Sequence, residues 1–248
     1  MLLHKVTINK DSFINDIIQQ DHRTVDVFRK YGIEYCCSGR FPLEMICLNK
    51  SLDFEQVKKE LEAASRMVQL PNTLAYENWS IDFLTGYITN IHHQFLRTSL
   101  PGTEQIVRHF ADEHVKKYPY MQEVARLFEQ LKKELLPHIQ HEEDTIFPYI
   151  CQVVHAWENN DTYGRLLVKT LRKPLGVMMK HEEDVLSALT LKIRLLTNNY
   201  AVPDRACVSH QVALARLKEL DNDLMQHIFL ENEVLFPRAI KIEQELLK

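Results

Sequence analysis

Two stretches of this 248-residue chain carry the same order of chemistry-bearing side chains. His138-Ile139-Gln140-His141-Glu142 leads to Phe147-Pro148, and His227-Ile228-Phe229-Leu230-Glu231 leads to Phe236-Pro237. Each reads His-Ile-x-x-Glu, four residues, Phe-Pro, and the second copy starts 89 residues after the first (227 minus 138). A histidine precedes each copy at a matching distance, His93 by 45 residues and His181 by 46. On an α-helix, residues i and i+4 share a face, so each pair can present an imidazole nitrogen and a carboxylate to one point.

A single His-x-x-x-Glu is common decoration of a solvated helix face. The setting of these two is different. Val124, Leu127, Leu131, Leu135, His138, Glu142 and Tyr149 step at helical intervals, as do Leu217, Leu220, Leu224, His227, Glu231 and Leu235. Both motifs therefore interrupt a core stripe. His181 continues Leu171, Pro174 and Met178 toward Val185 in the same way. A glutamate in such a stripe costs several kcal/mol unless it is paired or neutralised. A pair of metal ions does this directly: two glutamates bridge, four imidazoles bind terminally, and positions remain for a bridging oxygen and a small exogenous molecule. Bridging carboxylates with imidazoles in a bundle core favour iron over zinc.

His92 and His93 compete for the first position. His92 follows the apolar face of Ile81, Ile88 and Phe95, and periodicity leaves the choice open. His114 lies roughly 30 Å from His93 along a straight helix, which suggests a supporting or surface role. His141 reads as solvent-facing, and His109, His155 and His210 as ordinary polar or boundary residues.

The elements that must hold these residues are helical. Only 6 glycines and 45% hydrophobic residues suit long helices rather than many turns. The reading is all-α: a small helical section over 1–70, a linker over 71–78, and a four-helix bundle over 79–248 built as two related hairpins. Ser80 opens the first bundle helix, with a break expected at Pro101-Gly102. The second runs from Pro119 to about His155, and the third occupies about 165–197 and ends at Asn198-Asn199. Pro203-Asp204 opens the fourth. In the amino-terminal section, Asp11 or Ser12 is expected to cap a first helix, Gly32 to stop a second, and Asp53 to cap a third.

The formal charge of -4 gives no attraction to nucleic acid. No apolar stretch approaches the roughly 18 residues of a membrane span, and the start lacks the pattern of an export signal. Five cysteines, an odd number with two adjacent, do not read as a secreted disulfide framework. A cytoplasmic protein with reduced thiols is expected. The adjacent pair Cys36-Cys37 can handle metal as thiolates, exchange electrons with a partner, or simply pack.

Val27-Phe28, Tyr31-Gly32-Ile33, Tyr35-Cys36-Cys37, Leu43-Glu44 and Cys47, followed by the repeated His/Glu motifs, resemble the iron-centre repair proteins. That di-iron family protects or restores iron-sulfur clusters after nitrosative and oxidative stress. The resemblance covers nearly the whole chain and implies a hemerythrin-like up-down bundle behind a cysteine-pair domain. Its pattern of His before Leu-Pro falls on His93, with Leu100-Pro101 after it. It implies His93, His138, His181 and His227 as terminal iron ligands, with Glu142 and Glu231 bridging two iron ions beside an oxo or hydroxo group. Cys36 and Cys37 would serve docking, electron transfer or iron transfer. The implied partners are damaged iron-sulfur proteins and NO or O2, and a homodimer is compatible with the cysteine domain. The implied act is iron delivery or nitric oxide chemistry. Two departures stand out: Ser38 where the family has glycine, and His22 where a proline is common. Reversible O2 or NO binding is the alternative reading, and a di-iron oxidase is disfavoured by the His-first i, i+4 spacing.

Overall fold

The computed structural model describes residues 3–4, 6–33, 35, 41–65, 67–68, 74–161, 166, 168 and 183–247. The expectations for Cys36, Cys37, His181 and about half of the third bundle helix lie outside the described residues. The described chain is helical apart from a two-residue antiparallel ladder, β1 (Leu3–His4) with β2 (Met67–Val68).

The amino-terminal section contains α1 (Ile14–Gln20), α2 (Val25–Lys30), α3 (Leu43–Asn49) and α4 (Phe54–Ala64). Asp53 caps α4 as expected, accepting from the Glu55 and Gln56 amides. Gly32 ends the α2 turn with φ +61°, the left-handed conformation that glycine adopts without strain. The α1 cap differs from expectation. Phe13 holds the N-cap position, because the Ser12 hydroxyl accepts instead from the Asn9 amide.

The bundle's first helix is α5 (Ile81–Tyr87), a π turn (Ile88–His93) and α6 (Gln94–Glu113). Its second is α7 (Tyr120–His141), a π turn (Glu142–Ile146) and α8 (Phe147–Glu158). The described part of the third is α9 (Glu183–Leu196), which ends before Asn198 and Asn199 in left-handed conformations. The fourth is α10 (Val208–Phe229), a π turn (Leu230–Leu235) and α11 (Phe236–Leu247).

Two boundaries correct the sequence reading. The chain does not break at Pro101-Gly102, since α6 runs through both. An interior proline costs about 3 kcal/mol, but Leu96, Leu100, Val107 and Phe110 are buried on either side of it and hold the helix together. The fourth helix begins at Val208 rather than Pro203, with Arg205 at φ 59° interrupting the approach.

Buried apolar residues form two bodies. The larger joins Ile14, Ile17, Val25, Phe28 and Leu61 to α6, α7, α9 and α10, so the amino-terminal section and that end of the bundle share one core. The smaller gathers Ile81, Leu84, Ile88, Ile150, Val153 and Ala239 at the opposite end. The sections are also tied by ion pairs, Arg216 with Asp26 and His22 Nε2 with Glu219 Oε2 at 3.0 Å.

Candidate metal centre

Between the two apolar bodies lies a layer of buried polar side chains: His92, His93, Glu142, His227 and Glu231. Each of the three fully described bundle helices contributes through its π turn. His93 ends the first, Glu142 begins the second and Glu231 lies in the third. π turns inside α-helices are rare and concentrate at functional sites. The Phe-Pro repeat follows two of them: Pro148 leaves the Asp144 carbonyl, and Pro237 the Glu233 carbonyl, without a backbone N–H four residues on.

Ligand-type atoms of His93, Glu142, His227 and Glu231 all lie within 4.8 Å of one another. The Nε2 atoms of His93 and His227 are 3.0 Å apart. His227 Nε2 is 2.8 Å from Glu231 Oε1, and His93 Nε2 is 3.4 Å from Glu142 Oε2. His138 sits at the rim, with Nε2 3.2 Å from Glu142 Oε1. Both carboxylates are 1% exposed. Burial alone would raise the Glu142 carboxyl. The imidazoles of His138 and His93, with the charge of His227, outweigh that and hold it well below its usual range.

The donor chemistry fits metal cations. Two carboxylates cannot both stay charged in an apolar layer without positive charge between them. Glu142 Oε2 is buried and accepts no well-aligned hydrogen bond among the described residues. The Nε2 atoms of His93 and His227 converge on the two carboxylates.

Several residues that sequence reasoning missed orient this set. His93 donates from Nδ1 to Glu143 Oε1 at 2.8 Å, leaving Nε2 as a lone-pair donor toward the cluster. Glu143 is fixed in turn by Arg97, whose Nη1 and Nη2 donate at 2.7 and 2.9 Å. A carboxylate behind a ligand histidine sets its tautomer and ring angle. His92 does not join the cluster; it donates from Nδ1 to Asp223 Oδ1 at 3.0 Å and stacks on the His227 ring. The available signals were weak: Arg97 lies four residues after His93, and Asp223 four before His227.

The remaining histidines divide. His141 and His155 are exposed, and His109 pairs with Glu113 at the surface. His114 packs on Phe110 at the end of α6, with Nε2 4.0 Å from Cys207 Sγ. His210 corrects the expectation of a boundary residue. It is fully buried, stacked on Phe110 at 4.5 Å, and accepts or donates at Nε2 with the Tyr120 hydroxyl at 3.1 Å. Burial, aided by the positive charges of His114 and Lys117, pushes its pKa down to about 4.

Residues 10–65 match the ScdA_N family model, a domain of unknown function (DUF542), and residues 88–239 match the Hemerythrin HHE cation binding domain. The iron-sulfur cluster repair protein YtfE of Edwardsiella ictaluri is 30% identical over 221 residues, covering 88% of this chain and 91% of that relative. This chain belongs to the iron-sulfur cluster repair family. Its namesakes include ScdA of Staphylococcus epidermidis, 23% identical over 233 residues, which cover 94% of this chain and 99% of that one. YtfE of an Enterobacter species is 28% identical over 231 residues, 93% of this chain and 97% of its own length. Membership agrees with the all-α architecture, and the cation-binding bundle of the family coincides with the buried His/Glu cluster. Among the described residues no helix is long and apolar enough to cross a membrane.

Proposed function

We propose that this protein restores iron-sulfur clusters damaged by nitrosative or oxidative stress, with a pair of iron ions as its working centre. The observation that carries the reading is the convergence of His93, Glu142, His227 and Glu231 in a buried layer of a bundle whose relatives are named for cluster repair. His93, His138, His181 and His227 would bind iron terminally, and Glu142 and Glu231 would bridge. Iron held there supplies one-electron chemistry, a place for NO or O2, and a source of metal for a damaged cluster.

The protein's own residues do the rest. Glu143, held by Arg97, keeps the His93 ring aimed at the cluster and its Nδ1 proton away from it. The apolar bodies above and below the layer exclude water, which strengthens every charge interaction inside. His138, 10% exposed, is closer to solvent than His93, Glu142, His227 and Glu231 at 0–1%. Cys36 and Cys37 would pass electrons or metal to the client protein.

The test is recovery of a nitrosylated iron-sulfur enzyme, under anaerobic conditions, with the iron-loaded protein and with its Glu142→Ala, Glu231→Ala variant. Faster recovery with the intact protein alone is expected. Equal recovery with and without the protein would sink the reading, and tight reversible dioxygen binding with slow autoxidation would replace it with carriage.

A further inference from the structure

A file of aromatic rings leads from the metal layer to the surface. His92 lies against His227 with ring centroids 6.2 Å apart and planes 23° apart. Tyr87 meets His92 edge-on at 5.5 Å, and Trp79 meets Tyr87 edge-on at 5.1 Å. Each step lies within the 4.5–7 Å range of direct aromatic contact. His92 is buried, Tyr87 half-buried and Trp79 half-buried at the entrance to the first bundle helix, so the file crosses the wall of the bundle. Packing alone does not explain its composition. On the other side of the layer His93 stacks on Phe147 at 5.6 Å, a ring far harder to oxidise. Among the described residues the His227 side is backed by a phenol and then an indole, and the half-exposed indole can shed its proton to water.

We propose that Tyr87 and His92 link the centre to Trp79 as a relay for single electrons, discharging oxidising equivalents from the centre at the protein surface. The inference rests on the iron reading above. The oxidant is a peroxide. Reducing one hydrogen peroxide to two waters takes two electrons and two protons. With a single ferrous ion in the centre, iron would supply one of the two electrons. Trp79 gives the other through Tyr87 and His92, which return unchanged. The indole N–H releases its proton to solvent, from which the two protons of the new water are drawn, and a neutral indolyl radical remains on Trp79.

The chain contains its own control. Trp157 is the other of the 2 tryptophans; it is 42% exposed and belongs to no part of the file. The full-length protein, loaded with iron and poised with one ferrous ion per centre, is treated anaerobically with hydrogen peroxide and a nitroso spin trap. Adducts are then mapped by peptide mass spectrometry, and iron is assayed in the same samples. Adducts are expected severalfold more on Trp79 than on Trp157. In Tyr87→Phe, which keeps the ring contact and removes the redox-active phenol, Trp79 should fall to the Trp157 level at unchanged iron content and helicity. Equal labelling of the two tryptophans, or labelling of Trp79 that ignores Tyr87→Phe, overturns the relay alone. A protein that retains no iron overturns the metal reading and the relay with it, and the iron assay tells the two failures apart.

Discussion

The Nε2 atoms of His93 and His227 face each other at 3.0 Å across the bundle, with their rings at right angles. At most one can carry a proton toward the other, and both nitrogens border the space that Glu142 and Glu231 also line. That posture lets both rings serve one cation held beside the carboxylates.

Removing both carboxylates should abolish metal binding while sparing the fold. The Glu142→Ala, Glu231→Ala protein is expected to fall from about two irons per chain to background in a colorimetric iron assay. Its metal-free form should keep the helicity of the metal-free parent in circular dichroism, which separates loss of the site from loss of the fold. A variant that still holds iron would remove these residues from the site.

Glu143 and Arg97 act through His93 rather than on the metal. Glu143→Gln and Arg97→Met should each weaken iron affinity by about 10–100-fold in a competition titration against a chelator, with helicity unchanged. Unaltered affinity would mean the His93 ring is held by its stacking on Phe147 alone.

His210 should make the protein acid-labile at a place remote from the metal. Its folded pKa, about 4, lies below the roughly 6.5 of a free histidine. The stability it contributes is therefore complete above pH 6.5 and is lost as pH falls through 4, with a ceiling on the order of 3 kcal/mol. Denaturant melts of the metal-free protein across that interval should show the loss, and His210→Phe should flatten it. A parallel pH dependence in both proteins would assign the effect elsewhere.

Pro148→Ala and Pro237→Ala restore the missing amides and should let the preceding π turns relax toward regular helix. Stability of the metal-free protein is expected to rise by up to about 3 kcal/mol, while iron affinity falls as Glu142 or Glu231 rotates off the cluster. Gain of stability with affinity intact would show that the widened turns do not depend on the prolines.

The pairing of His138 with Glu142 and of His227 with Glu231 was readable because i, i+4 spacing within an apolar stripe has one geometric meaning on an α-helix. The choice between His92 and His93 was not. The π turn Ile88–His93 adds a residue to the helix just there, so the apolar phase carried forward from Ile81 slips by one position and both imidazoles end up buried. Family resemblance, not periodicity, pointed to His93. Glu143 was invisible for a related reason: next to Glu142 on a regular helix it would face away, and the widened turn brings it round to His93. Pro101 misled because local propensity was read without the packing of Leu96 and Phe110 on either side.

The polar layer that separates the two apolar bodies has a consequence for cooperativity. Two separate apolar bodies predict that the metal-free bundle opens as two neighbouring foldons, with the amino-terminal section part of the larger. An ion in the layer draws ligands from helix segments that belong to both, and its binding energy is gained only when both are formed. Loading the centre therefore welds the halves into a single unfolding unit, and amide exchange at the ends of α8 and α11 reports whether the centre is filled.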